Sequence, residues 1–290
     1  MMKRFGLSTL AIGAAFLLSM SIAACSSEEE TNTDKENTAG ENTPENTEQA
    51  KHDWATHDWK LAPVENGTQA KINMQMAGMM ESIPAEERDP MMATMKSAND
   101  EVKATGIESK AKKAGEMAPA FTLKDTKGSE VSLSDALAKG PVVLIFFRGS
   151  WCPICNTQLA DLEAAKVDIE KAGGSLITIS PELADQHAWY DENFAISYPL
   201  LTDSGNKVAS DFGLVFTLPE SLQTLYPSFG IDLPARNGDQ SMTLPMASTY
   251  VIDQDGTIAW SYGNVDYVQR AEPAHIVAVL NEIKAVHAAK

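Results

Sequence analysis

Three cysteines among 290 residues are too few for a disulfide scaffold, and basic residues are outnumbered by acidic ones. Lys and Arg number 23 against 40 Asp and Glu, a net charge of −17, which is the wrong sign for binding nucleic-acid phosphates. Only Cys152 and Cys155 lie close together. No second C-x-x-C and no close His pair accompanies them, so a four-ligand zinc site would lack two ligands. Redox chemistry is therefore favoured over half of a zinc site or two unpaired structural thiols. A single possible pair also points to a working disulfide rather than a brace. No cofactor is called for.

The third cysteine has a different context. Met1-Met2-Lys3-Arg4 is a short basic start, Phe5 to Ala24 is an apolar run with small residues, and Ile22-Ala23-Ala24-Cys25 ends it. This is the pattern of an export signal. Its end resembles a bacterial lipobox, in which the cysteine is lipidated and opens the mature chain. An ordinary signal peptide or a single membrane anchor is the alternative. On the lipobox reading, residues 1–24 are a lipoprotein signal peptide and Cys25 is the lipidated residue. The protein is then expected in the cell envelope, bound to a membrane by its lipid and exposed outside the cytoplasmic membrane, periplasm-facing or on an outer membrane. Cys25 is thereby removed from thiol exchange.

Much of the negative charge is local. Ser26 to Ala50 holds eight acidic residues against the single Lys35, has no large apolar side chain and repeats Glu-Asn-Thr three times. Such a stretch cannot bury enough surface to fold, so 25–51 is read as an acidic disordered tether. Residues 52–113 follow as a helical, methionine-rich extension. His52-Asp53-Trp54 recurs as His57-Asp58-Trp59, and Met74, Met76, Met79, Met80, Met91, Met92 and Met95 are clustered. Two or three short helices are predicted, interrupted around Pro84 and Pro90. Thioethers are soft copper ligands, but Met at helical spacing more often fills an irregular packing surface, the role expected for Met76, Met79 and Met80.

Residues 114–290 read as α/β. Ala120–Leu123 and Glu130–Leu133 flank a polar turn as a hairpin, and Ser132 with Asp135 fits a cap on a short helix. Val142–Phe147 is a buried strand that hands over, through Arg148-Gly149-Ser150, to Trp151-Cys152-Pro153-Ile154-Cys155 and a helix ended by Gly173-Gly174. A thiol at a helix start meets unpaired N–H groups and the positive end of the dipole, both of which favour the reactive thiolate. Further strands are expected at 175–180, 198–201, 249–252 and 257–261, with helices over 183–194 and 273–287. Strands alternating with helices imply a largely parallel central sheet with an antiparallel hairpin at one edge. His187, His275 and His287 are read as ordinary surface or half-buried residues.

Four ordered blocks carry a family resemblance over about 115–287. Gly115-Glu116-Met117-Ala118-Pro119-Ala120-Phe121 resembles the entry strand of thioredoxin-fold redoxins. Phe147-Arg148-Gly149-Ser150-Trp151-Cys152-Pro153-Ile154-Cys155-Asn156 resembles the motif of the peroxiredoxin-like branch of the AhpC/TSA group. Tyr198–Asp203 and Thr249–Gly256 match two later blocks. The resemblance implies a thioredoxin-like three-layer α/β sandwich with an N-terminal hairpin and a helical N-terminal extension. It implies thiol-dependent reduction of hydrogen peroxide or organic hydroperoxides, with a thioredoxin-type protein as reductant.

Site residues follow from the register. Peroxiredoxins carry Pro-x-x-x-Thr-x-x-Cys, which puts Cys155 on the peroxidatic cysteine, Cys152 on the threonine and Arg148 on the proline. Where such enzymes have an arginine, and thioredoxins a cis-proline, this chain has Ala247, with Pro245 two residues earlier. The resemblance thus implies a site without its arginine. Trp151 before the first cysteine is a thioredoxin-like feature, or else a packing residue. Register favours Cys155 for peroxide, whereas exposure at a helix start favours Cys152; peroxide is assigned to Cys155 and both are kept as catalytic. A Cys152–Cys155 disulfide is the expected oxidised form, with Arg148, Trp151 and Pro153 supporting it. Disulfide exchange with exported proteins through Cys152, and non-enzymatic copper binding, are the alternatives. The insertion from Phe212 to Met246 is read as a cover for the site or a dimer surface.

Overall fold

Residues 51–289 are described by the computed structural model; the export signal, Cys25 and the tether up to residue 50 lie outside the described residues. The extension supplies α1 (Thr68–Glu81), α2 (Ala85–Ala104) and α3 (Ile107–Lys110). A hairpin of β1 (Thr122–Asp125) and β2 (Glu130–Ser132) leads into α4 (Leu133–Leu137), where Ser132 Oγ accepts the Asp135 N–H at 3.1 Å. Then come β3 (Val142–Phe146), α5 (Pro153–Lys171), β4 (Ser175–Ser180), α6 (Ala184–Asn193) and β5 (Leu200–Thr202). The chain continues through α7 (Lys207–Asp211), β6 (Val215–Thr217), α8 (Glu220–Leu225), α9 (Leu233–Asn237) and β7 (Thr243–Pro245). It closes with β8 (Ser248–Ile252), β9 (Ile258–Gly263) and α10 (Pro273–Ala288).

Seven strands form one sheet in the order β2-β1-β5-β4-β3-β8-β9, and β6 pairs with β7 in a separate ribbon. Parallel pairing is confined to β3 with β4 and β4 with β5. Both flanks are antiparallel, which corrects the expected single antiparallel edge. The cause lies in the connections. Helices α5 and α6 give the crossovers that parallel neighbours require, while β1–β2 and β8–β9 are joined by turns too short for one.

Every residue of β3 is buried, and their alternation builds the layers on both faces. Val143, Ile145 and Phe147 pack with Leu159, Leu162 and Ile169 of α5 and with Ile276, Val279, Leu280 and Ile283 of α10. Val142, Leu144 and Phe146 face the opposite layer, with Leu133, Val208, Phe212 and Tyr250. The result is the expected three-layer arrangement.

The extension enters each core. Trp54 and Ile72 join the α5/α10 layer, Val102 and Ile107 join the opposite one, and Ala98 packs on Leu218, Leu222 and Tyr226 of the insertion. The His-Asp-Trp repeat folds as a stack: the Trp54 and Trp59 rings lie 12° from parallel, and Trp54 Nε1 donates to Asp253 at 3.2 Å. The helix break falls at Pro84, as predicted, but Pro90 lies inside α2. Its missing N–H leaves only the Glu86 carbonyl unpaired, on an exposed stretch where water can serve it. Met76 packs against the core, whereas Met74, Met79 and Met92 are exposed, so the packing role read for Met79 does not hold.

Candidate active site

The strand-to-helix handover is a tight turn that needs its glycine. Gly149 has φ +148°, and a Cβ there would meet Trp151 Nε1 at 2.4 Å. The turn closes with the Cys152 N–H on the Gly149 carbonyl at 3.1 Å. Cys152 is the N-cap of α5 and Pro153 takes the first helical position, where its missing N–H costs nothing. Cys155 follows in the first turn, aimed into the core.

Both thiols are free and buried, Cys152 at 1% exposure and Cys155 at 0%. The exposure expected for Cys152 is therefore absent. It is enclosed by the same core that receives Ile154 and Leu159. Their chemistry is nevertheless unequal. Burial opposes ionisation of Cys155, but a hydrogen bond from the Cys152 thiol, the charges of Arg270 and Arg148, and the Arg148 backbone N–H together hold it well below the ordinary thiol value. Burial, and then the hydrogen bond it gives to Cys155, push Cys152 well above that value. Ionisation is thus favoured at Cys155 and opposed at Cys152.

Arg270 is the residue that the sequence did not disclose. It comes from the loop between β9 and α10, is buried, and places Nη2 3.4 Å from Cys155 Sγ. Its Nη1 donates to Gln158 Oε1 at 2.8 Å and its Nε to the Tyr267 carbonyl at 2.7 Å. The expectation of a site without an arginine is thus overturned: Ala247 is buried at the edge of β8, and the guanidinium arrives from a later loop instead. No periodicity or spacing signals this, because it depends on β9 lying next to β8, and β8 next to β3.

Arg148 supplies a second guanidinium inside an aromatic enclosure. Its Cζ lies 4.4 Å from the Tyr267 ring centre, 4.8 Å from Trp151 and 5.8 Å from Tyr226, and Nη2 donates to the Tyr226 hydroxyl. Burial and the Arg148 charge act oppositely on Tyr267, whose hydroxyl is pushed up to about 12. Trp151 therefore does more than pack: it is one wall around the Arg148 charge. Behind Arg148 is a cavity of about 30 Å³ lined by Met95 and Val102 of the extension, Leu222 and Tyr226 of the insertion, and Ala247. The insertion and the extension thus line the Arg148 side together.

A buried carboxylate holds the turn from the other side. Glu182 is fully buried and accepts the Ser150 N–H at 2.6 Å and the Ser150 hydroxyl at 3.0 Å. Arg236, from α9 of the insertion, donates to the same carboxylate at 3.1 Å. Burial raises the Glu182 pKa against those hydrogen bonds. Asn156 Nδ2 reaches the Ser150 carbonyl at 2.9 Å, and the Tyr190 hydroxyl donates to Asn156 Oδ1 at 2.8 Å. His187 is fully buried, contrary to expectation, with neither ring nitrogen hydrogen-bonded among the described residues. Burial lowers its pKa to about 4, so it is neutral at pH 7. Sequence reasoning missed Glu182, Arg236 and Gln158 as well, since isolated polar residues in helical or turn contexts carry no mark of burial.

Among the described residues no group of three or more His, Cys, Asp or Glu side chains is arranged to hold a metal, and no helix is long and apolar enough to cross a membrane.

The site has relatives. The AhpC/TSA family pattern matches residues 114–261, which takes in both cysteines but neither Arg270 nor the extension. Chloroplastic peroxiredoxin Q of Suaeda salsa is 35% identical over 150 residues, covering 52% of this chain and 59% of that relative. The Arabidopsis thaliana counterpart is 32% identical over 171 residues, 59% of this chain and 67% of its own length. The crystal structure of peroxidoxin BcpB from Mycobacterium tuberculosis aligns at 24% identity and a TM-score of 0.47, covering 60% of this chain and 97% of that one. The chain spans about three fifths of the length of the first of these curated relatives. With the cysteine turn and all of the sheet except the last two residues of β9 inside the matched half, this chain belongs to the AhpC/TSA family.

Proposed function

We propose that this protein is a thiol-dependent peroxidase, with Cys155 as the attacking thiolate and Cys152 as the resolving thiol. One observation carries the assignment: Arg270 Nη2 lies 3.4 Å from Cys155 Sγ, whereas among the described residues no guanidinium is hydrogen-bonded to Cys152, although the Arg148 and Arg270 charges reach both sulfurs. The relatives named as peroxiredoxins support the reaction class.

In the first step the Cys155 sulfur attacks one oxygen of hydrogen peroxide or an organic hydroperoxide. The O–O bond breaks, sulfur becomes a sulfenic acid, and the departing oxygen takes a proton to leave as water or an alcohol. The neighbouring guanidinium offsets negative charge on that oxygen as the bond breaks. In the second step Cys152 attacks the sulfenic sulfur. An S–S bond forms, and the Cys152 proton leaves with the sulfenic hydroxyl as water. A thioredoxin-type dithiol then reduces the disulfide by exchange. Disulfide exchange with protein substrates as the main activity calls for Cys152 as the nucleophile, and its raised pKa counts against that reading.

Lipidation at Cys25 would tether this chemistry to the cell envelope, outside the cytoplasmic membrane, with residues 25–51 as the linker. The test of the activity is peroxide consumption by the full chain with a thioredoxin-type reductant. The proposal expects turnover well above that of a small-molecule dithiol at equal thiol concentration. A rate no faster than the small dithiol contradicts it, because a thiolate without a preorganised pocket reacts slowly.

A further inference from the structure

We infer that the N-terminal extension is a working part of the active site, with Gln69 at the start of α1 as the positioning residue that holds Arg270 against Cys155. This rests on the proposed role of Cys155 as the reacting thiolate. The extension and Arg270 both lie outside the residues that match the family.

The contacts run in a closed path. The Arg270 backbone N–H donates to Gln69 Oε1 at 3.0 Å, and Gln69 Nε2 donates to the Val268 carbonyl at 3.0 Å. A single amide therefore grips the loop on both sides of Gln269. Two residues further on, the Glu272 carboxylate accepts the N–H groups of Thr68 at 2.7 Å and Gln69 at 2.9 Å. It satisfies two of the free N–H groups that open α1 and meets the positive end of that helix. Space beside it is tight: a Cβ on Gly67 would fall 2.3 Å from Glu272 Oε2 and would push the carboxylate aside.

Helix α1 is in turn anchored to α5, the helix that carries Cys155. Thr68 Oγ1 donates to Asp161 at 2.8 Å, Lys71 pairs with Asp161 at 2.6 Å, and the Thr157 hydroxyl donates to Gln75 at 2.7 Å. Ile72 is fully buried at the same contact. Arg270 is thus referenced to α5 twice, directly through Gln158 and indirectly through α1 and Gln69. A loop has no regular backbone ladder to fix a guanidinium within hydrogen-bond reach of a sulfur, and α1 supplies the missing constraint.

The test reads the thiolate itself. Absorbance at 240 nm is followed against pH in the full chain carrying Cys25→Ser, leaving Cys152 and Cys155 as the only thiols. The groups facing the pair are Arg148 and Arg270, with Tyr190, Tyr226 and Tyr267 beside them. Burial holds all three hydroxyls above their ordinary value, so the first transition belongs to the thiol pair. Gln69→Ala is expected to raise that midpoint by about one pH unit and to slow the reaction with hydrogen peroxide about tenfold at a pH below the wild-type midpoint. In an Arg270→Ala background the same substitution should add nothing, because its effect passes through the missing guanidinium. Gly67→Ala, which crowds Glu272 without touching the amide, should reproduce the shift if Gln69→Ala fails to fold. An unchanged midpoint in a folded variant, or an equal effect with Arg270 already removed, overturns the inference. The titration uses no peroxide. A shift in a protein that consumes no peroxide would sink the proposed activity and leave this coupling standing, while turnover without a shift would do the reverse.

Discussion

Arg270 and Gln158 meet at 2.8 Å, and that contact fixes the other arm of the same guanidinium 3.4 Å from Cys155 Sγ. Gln158 lies one turn beyond Cys155 on α5, so a single helix carries both the sulfur and the anchor of its counter-charge. Removing the charge should return the thiol toward its ordinary value. Arg270→Ala is expected to raise the Cys155 midpoint by about one to two units and to slow peroxide reaction at neutral pH by roughly ten- to a hundredfold. Arg270→Lys keeps the charge but loses the fork that reaches Gln158 and sulfur together, and should fall between the two. Peroxide kinetics unchanged in Arg270→Ala would exclude the arginine from the site.

His187 makes stability depend on pH in a defined direction. Burial depresses its pKa from 6.5 to about 4, so the folded protein favours the neutral ring. That contribution is fully present above pH 6.5 and is lost as pH falls through the folded value of about 4. The span corresponds to about 3 kcal/mol, as an order of magnitude for a fully enclosed group. His187→Phe should remove this part of the acid sensitivity while leaving the loss due to carboxylates. Denaturant midpoints of the two proteins, compared at about pH 7.5 and about pH 4.5, check it. An equal loss of stability in both on acidification would show that His187 titrates normally.

The secondary structure was legible where periodicity is strong. Val142–Phe146 is apolar throughout because both faces of β3 are covered, and Ser132 with Asp135 marks its helix through a local hydrogen bond. The cysteine pair was legible because its chemistry depends on spacing and on a strand-to-helix turn, both local. Arg270 was not, since Cys155 lies 115 residues away in the chain and only the strand order brings the two together. Register with relatives directed attention to Ala247, two elements too early. Glu182 and His187 were hidden for another reason: charged and polar residues are normally exposed, and here Arg236 of the insertion partners the buried Glu182 while Phe147 and Tyr190 flank the buried His187. Pro90 shows the converse error, a strong local signal weakened because its one lost hydrogen bond falls at an exposed site.

The location of the protein rests on Cys25. Growth with a labelled fatty acid should mark the wild-type chain, and Cys25→Ser should abolish the label while the cysteine pair stays intact. Label retained in the variant, or a mature chain beginning downstream of residue 25, would refute the lipid anchor.

The division of labour between Cys155 and Cys152 is tested most directly by trapping the oxidised sulfur. Each cysteine is replaced singly by serine, the proteins are exposed to one equivalent of hydrogen peroxide with a sulfenic-acid trap, and the adduct is located by peptide mass spectrometry. The account predicts that Cys152→Ser forms the adduct at Cys155 in a single turnover, somewhat slowed because the thiol that solvates the thiolate is gone. Cys155→Ser should give no adduct above background, since Cys152 is buried with a raised pKa. An adduct at Cys152 in Cys155→Ser, with Cys155 unreactive in Cys152→Ser, would contradict the assignment and make Cys152 the nucleophile.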